Sequence, residues 1–311
     1  MNKKKIELSI VIPVYNEEKN LKILYKELLA VLKKIKKAYE IIFIDNGSHD
    51  QTMVKLVKIK EYGKDIKVVQ LQGRFGKASA LQAGFDQAKG EYLITMDGDL
   101  QDDPREIPKF LKKIRTGYDL VCGWKYKRKD SLGKIIFSKI ANFLTRKVTG
   151  VKVHDMNCGF KAYKRAVVEN LFLYGEMHRY VPALVAKKGF KVGEIKVVHH
   201  PRSFGRSKYG RERLLRGFFD FITVVFLTTF VTRPLHFFGS IGLFFGAAGS
   251  IFGVYLTILW FQGQGIGQRP LLLLAVLLMV LGVQFFSIGL IGEMLASRKA
   301  RRNYIIKQIL E

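Results

Sequence analysis

Residues 91–104, EYLITMDGDLQDDP, place Asp97, Asp99, Asp102 and Asp103 directly after an apolar, strand-forming run. Such an acidic knot either holds something positive or is ordinary turn chemistry, and its surroundings decide between the two. The chain around it is strongly basic, with 53 Lys and Arg against 26 Asp and Glu and a formal net charge of +27. That excess suits a polyanionic partner: nucleic acid, an anionic membrane surface or a phosphorylated substrate. At 311 residues and 48% hydrophobic composition, the chain can build one large domain or two ordinary ones, and it falls outside the disordered class.

Upstream of the knot, short β-branched runs alternate with charged segments of helical period. IELSIVIPVY precedes NLKILYKELLAVLKKIKK, where Leu21, Leu24, Leu28, Leu32 and Ile35 share a face, and EIIFIDN precedes a helix predicted from about Asp50 to Glu61. The alternation continues through IKVVQL, a helix over Lys77–Ala88, the strand EYLITM, a proline-started helix over Pro104–Arg115 and YDLVCGW. This pattern predicts a doubly wound, mostly parallel α/β sheet covered on both faces. The N-terminal run ends at Pro13 without a small-residue cleavage site, so it reads as a first strand and not as a signal peptide. Cys122 and Cys158 form no disulfide framework and lack metal-ligand spacing, which fits a reducing compartment.

Past residue 200 the composition changes. Leu235–Phe261 carries only His236 near one end, and Leu271–Gly292 carries no charge. Each is long enough to cross a hydrocarbon core of ~30 Å, which takes roughly 20 helical residues. The other reading, two buried core helices, needs a second soluble domain that the remaining chain is too short to build. The loop QGQGIGQRP holds one Arg, whereas SRKARRNYIIK and PRSFGRSKYGRERLLRG are rich in basic residues. The positive-inside rule therefore puts the N-terminal domain (1–210) and the basic tail (297–311) on the cytoplasmic side of a cytoplasmic membrane. Residues 211–233, with Arg211, Arg213, Arg216 and Asp220 ahead of FITVVFLTTFV, are expected to form an interfacial amphipathic helix before the two spans.

Ligands of open α/β sheets bind at the carboxyl ends of strands. There this sequence has Pro13-Val14-Tyr15-Asn16-Glu17-Glu18, then Asp45-Asn46-Gly47-Ser48-His49-Asp50, then Asp97-Gly98-Asp99-Leu100-Gln101-Asp102. Hard divalent cations such as Mg²⁺ or Mn²⁺ prefer carboxylate oxygens and share their shell with phosphate, so the Asp97-Gly98-Asp99 pattern suits a metal bridging the chain to a diphosphate. An EF-hand does not fit, since its glycine and terminal glutamate are missing. Glu17 and Asp50 have a second reading as helix N-terminal caps.

With IVIPVYNEE, FIDNGSHD and RFGKASALQAGFDQAKGEYLITMDGDLQDDP in order on strand ends, the sequence resembles family 2 glycosyltransferases of the GT-A fold. Within them it is similar to polyprenyl-phosphate glycosyltransferases of the dolichol-phosphate mannose synthase and bacterial polyprenyl-phosphate glucosyltransferase type. The resemblance covers the chain to about Gly210, and bacterial relatives share the two-span tail. It implies inverting transfer of a hexose from a nucleotide sugar, of the GDP-mannose or UDP-glucose type, to a dolichyl or undecaprenyl phosphate.

By the same resemblance Pro13, Tyr15 and Glu17 open the nucleotide pocket, Asp45 meets the base, and Arg74, Gly76 and Lys77 lie beside the nucleotide. Asp97 lies near the donor sugar and diphosphate, with Asp99 and Gln101 as ligands of Mg²⁺ or Mn²⁺. Lys125, Arg202, Arg206 and Lys208 hold the acceptor phosphate, and Asp155, Asn157, Gly159 and Phe160 match the acceptor-side motif. Asp97, Asp99, Lys125 and Arg202 are thereby the catalytic candidates. Asp102-Asp103-Pro104 is expected to start the next helix, His178 to be structural, and His199 and His200 receive no role. Relatives assemble through their membrane segments, so a homo-oligomer is one expectation. A processive polysaccharide synthase of this fold would carry a Gln-x-x-Arg-Trp motif, which is absent from the sequence. A non-catalytic nucleotide-sugar-binding membrane protein would bind donor without making product. A nucleic-acid-binding module would show a recognition motif or a stacking array.

Overall fold

The computed structural model describes residues 5–126, 150–201, 234–296 and the strand at 306–310. Strands β1 (Leu8–Val14), β2 (Tyr39–Asp45) and β3 (Ile66–Leu71) pair in parallel, and β4 (Tyr92–Thr95) joins β1 in parallel on its other side. Helices α1 (Leu21–Ile35), α2 (Thr52–Glu61) and α3 (Lys77–Gln87) make the crossovers. These are the elements the apolar periodicity predicts, with ends within two residues.

The sheet then departs from a plain parallel series. After the 3₁₀ turn Pro104–Glu106, helix α4 (Ile107–Ile114) leads to β5 (Leu120–Lys125). Strand β6 (Lys161–Lys164) inserts antiparallel between β4 and β5. Helices α5 (Arg165–Glu169) and α6 (Val181–Lys187) precede β7 (Val192–Val197), which pairs in parallel with β5. A further strand, β8 (Ile306–Leu310), closes the far edge against β3, giving the order β7-β5-β6-β4-β1-β2-β3-β8.

Alternation along the central strands builds two apolar layers, because successive side chains point to opposite faces. Ile10, Ile12, Ile41 and Phe43 meet Leu21, Leu24 and Leu28 of α1 and Phe110 of α4 on one face. Val11, Ile42, Ile44 and Val69 meet Ala80, Leu81 and Phe85 of α3 on the other. Each fully buried Leu, Ile or Phe side chain contributes about 1.5–3 kcal/mol. Together the layers make the carboxyl ends of β1, β2 and β4 a rigid rim.

A separate compact unit holds helices α7 (Pro234–Phe261) and α8 (Pro270–Ala296). At about 1.5 Å per residue each is ~40 Å long, enough to span a bilayer. Their large apolar side chains stand outward: Leu243, Phe244, Ile251, Leu273 and Val283 are all exposed. Core helices of a soluble domain would bury these side chains, so the exposure favours the reading as membrane spans. The helices approach backbone to backbone, since a Cβ on Gly242 would lie 2.6 Å from the Gly282 carbonyl oxygen. Such close approach through small residues is how helices associate in lipid, where burial of apolar surface supplies no net drive.

Candidate active site

The rim of β1 and β2 is tied by side chains that satisfy loop backbone. Asn16 donates its N–H to Ser48 Oγ and accepts from the His49 N–H, both at 2.9 Å. Asp50 accepts from the Thr52 N–H at 3.0 Å, which is a capping role at the start of α2, and the Glu17 carboxylate accepts from Asn20 at the start of α1. Glu17 is thus engaged at the helix start, just past the end of β1. Asp45 is fully buried; one carboxylate oxygen accepts from the Ser48 N–H at 3.1 Å, and the other is buried without a hydrogen-bond partner. A buried, half-satisfied carboxylate costs free energy until a donor arrives, which marks it as a place for an N–H from a ligand. Asn46 differs, because its side-chain oxygen already accepts from the Phe75 N–H.

That bond anchors the loop after β3. There the Arg74 guanidinium lies 4.4 Å from the Tyr15 ring centroid, and Tyr15 meets His49 edge-on. Cation and rings form one wall that a planar group can stack on. Lys77, the first residue of α3, reaches across to Asp97 with Nζ–Oδ1 at 2.5 Å. Burial works against both charges, but each outweighs it for the other: the Asp97 carboxyl is held well below the usual carboxylate range and Lys77 is raised. Gly159 packs directly on this carboxylate, where a Cβ would come within 2.8 Å of Asp97 Oδ2.

The knot itself is a tight turn. Leu100 has φ 63°, and Asp99 accepts from the Gln101 N–H at 3.2 Å. Asp99 is buried and Gln101 half-buried, with its amide nitrogen 3.4 Å from His199 Nε2. Two carboxylates and an amide oxygen are hard donors that suit Mg²⁺ or Mn²⁺. The described residues hold no group of three His, Cys, Asp or Glu arranged for a metal, so diphosphate and water would have to complete the shell.

Asp103 caps the 3₁₀ turn through the Arg105 N–H, as the sequence suggests, and its carboxyl is lowered to about 2 because hydrogen bonds from Arg105 and His200 outweigh its burial. Asp102 does something else. It is 2% exposed, accepts the Asp97 N–H at 3.1 Å, and lies 3.8 Å from Lys125 Nζ. Burial pushes its carboxyl up to about 6 against the pull of Lys125, and that lysine, half-buried, is raised by Asp102 despite the cost of burial. His199 bridges backbone to backbone with Asp102, and His200 donates its N–H to the Gln101 carbonyl at 2.9 Å. The two histidines therefore clip the exit of β7 onto the acidic knot. No local sequence signal announces this, because the partners are about 100 residues apart and the pairing runs through backbone as well as side chains.

Acceptor-motif residues sit close by. Asp155 is buried and its charge acts on Lys125, while Phe160 packs on Phe110 with ring centroids 4.5 Å apart. His178 is buried with Nδ1 lacking a hydrogen-bond partner; burial and the nearby Lys77 hold it neutral, well below its ordinary pKa. Cys122 and Cys158 are buried thiols pushed up to about 12 by burial, hence inert. Arg202, Arg206, Lys208 and the interfacial segment 211–233 lie outside the described residues.

Residues 9–172 match the family described as glycosyl transferase family 2. A dodecaprenyl-phosphate galacturonate synthase of Rhizobium johnstonii is 40% identical over 98% of this chain and 94% of its own. An undecaprenyl-phosphate 4-deoxy-4-formamido-L-arabinose transferase of Photorhabdus laumondii is 34% identical over 98% and 94%. Among solved structures, glucosyl-3-phosphoglycerate synthase of Mycobacterium tuberculosis, in complex with Mn²⁺, UDP and its product, superposes with a TM-score of 0.54 at 18% identity, covering 72% of this chain and 80% of that one. That last likeness is one of fold, and it identifies the sheet as GT-A.

Proposed function

Since this chain belongs to glycosyl transferase family 2, we propose that it transfers a hexose, with inversion, from a nucleotide sugar to a polyprenyl phosphate and releases a nucleoside diphosphate. The observation that carries the proposal is the convergence of Asp45, Arg74, Lys77, Asp97 and Asp99 on one rim of the sheet. The half-satisfied Asp45 takes an N–H of the base, Tyr15 and Arg74 wall the nucleoside beside Pro13 and Glu17, and Lys77 meets the diphosphate. A divalent cation, Mg²⁺ or Mn²⁺, bound by Asp99 and Gln101 with Asp97 beside them, would neutralise charge on the leaving diphosphate.

The acceptor needs little activation. A monoalkyl phosphate has a second pKa near ~6, so its oxygen is already an anionic nucleophile at neutral pH. The chain's task is to hold that oxygen in line with the anomeric carbon. We assign direct contact to Arg202, Arg206 and Lys208, with Lys125 supplying positive field from the buried floor. Attack from the face opposite the leaving group inverts the centre.

Sidedness is supported by connectivity. Strands β1–β7 and β8 share one sheet, so the chain between them crosses any membrane an even number of times, as two helices do. Basic residues on both flanks support the reading that the catalytic domain and tail lie at the cytoplasmic face of the cytoplasmic membrane. Detergent-solubilised full-length protein is to be incubated with undecaprenyl phosphate, Mg²⁺ or Mn²⁺, and radiolabelled UDP-glucose, GDP-mannose, UDP-N-acetylhexosamine or UDP-galacturonate. Lipid-extractable label that requires acceptor and cation is expected from one donor. Donor binding without such product, or polymeric product, refutes the proposal.

A further inference from the structure

Strand β8 is the least expected element of the catalytic domain. It runs antiparallel to β3, pairing Leu310 with Val68, Ile309 with Val69, Gln308 with Gln70 and Ile306 with Leu71. Without it, β3 would be an edge strand with a free row of backbone donors and acceptors. The direction of pairing matters more than the cover. The C-terminal strand enters the sheet beside Leu71, at the end of β3 from which the chain passes to Arg74 and Lys77.

The register slips there by one residue, with Lys307 the extra residue on β8 between the Gln70 and Leu71 pairs. Bulges of this kind bend a strand and re-aim the side chains next to them. Residues 72–76 have no regular structure, and an added Cβ at Gly73 or Gly76 would meet nothing within 4 Å. Besides its two ends, the loop is held by the Asn46 side chain at the Phe75 N–H, by Ser79 Oγ at the Phe75 carbonyl, by Arg74 on Tyr15, and by Gly47, whose missing Cβ lets the Gly73 and Arg74 backbone approach.

We infer that the C-terminal strand is a positioning element for the donor site: backbone pairing of residues 306–310 sets the end of β3 and, through it, the placement of Arg74 and Lys77. The inference rests on the donor site of the proposed function. It gives the strand at 306–310 a part in nucleotide binding, exerted through its backbone pairing with β3.

Truncation after Ala300 is expected to raise the donor KM about tenfold, the equivalent of ~1.4 kcal/mol, and to leave the polyprenyl-phosphate KM within twofold. A synthetic peptide of residues 302–311 added in trans is expected to restore the donor KM, and the same peptide carrying Gln308→Pro and Ile309→Pro is not, because proline cannot donate to the ladder. A donor KM unchanged by truncation, an equal rise in both KM values, or no rescue by the unmodified peptide would overturn the inference. Intact protein gives a test that does not depend on the truncated chain folding. Coupling is reciprocal, so uridine or guanosine diphosphate with Mg²⁺ must slow hydrogen exchange of amides 306–310 at least threefold. Nucleotide binding with unaltered exchange there overturns the inference alone; failure of either nucleotide to bind intact protein overturns the donor site itself.

Discussion

Two Lys–Asp pairs lie within the same site and behave differently. Lys77 and Asp97 meet at 2.5 Å with 29% and 28% of their side chains exposed; Lys125 and Asp102 stand 3.8 Å apart with 14% and 1% exposed. The first pair joins a helix start to the exit of β4 and opens on the rim. The second pair joins β5 to the acidic knot beneath it. Burial decides their uses, since an accessible pair can trade partners with an anionic substrate, while separating a buried pair strands a charge. The rim pair is thus open to exchange with an anionic ligand, and the floor pair holds the knot.

The comparison breaks most sharply at Asp99. Asp99→Ala is expected to lower kcat by about 10³-fold, the scale of losing a group that stabilises transition-state charge, with the melting temperature held within a few degrees. Turnover within tenfold of wild type would remove Asp99 from the chemistry. Next, Lys125→Ala should destabilise the protein by about 3–5 kcal/mol by leaving Asp102 unpaired, and Asp102→Asn in the same chain should recover much of that loss in denaturant melts. An unchanged melt for the single variant would make the floor pair dispensable.

At the rim the expectation reverses. Lys77→Met should cost about 10²-fold in kcat/KM for the donor, ~2.7 kcal/mol, with less than ~1 kcal/mol lost in stability. A loss of stability larger than the loss of activity would make the two pairs equivalent. The smallest effect is a slope. Asp102 keeps its proton to about pH 6 in the folded chain, against an ordinary value of 3.8. Between those values the unfolded chain has released the proton and the folded chain has not, so this group's contribution to stability falls as pH rises from about 4 to 6. Melting temperatures over that range should therefore decline less steeply, or rise more steeply, in Asp102→Asn than in wild type. Parallel curves would show that Asp102 titrates normally.

Most of the strand-end rim is legible in the sequence. Each of β1, β2 and β4 is an apolar run succeeded at once by polar residues, and parallel topology sends all three ends to one side. Local patterning carries that information. The antiparallel β6, the Asp102–Lys125 pair and the clip made by His199 and His200 depend on partners far along the chain. Local pattern groups Asp102 with Asp103 as a helix start, and Asp103 alone takes that role. Strand β8 escapes detection for a related reason: IIKQIL lacks clean alternation and comes after a cluster of Arg and Lys, so it reads as tail, and its partner β3 lies more than 230 residues earlier.

The rim pair also bears on how the pocket empties. With a diphosphate in the proposed donor site, Lys77 would have two anionic claimants, the departing product and Asp97. Once the product leaves, the ammonium closes on Asp97 at 2.5 Å and is not left bare against solvent. On the proposed donor site, product affinity would be measured against that internal competitor, which would shorten residence time and favour turnover over product inhibition.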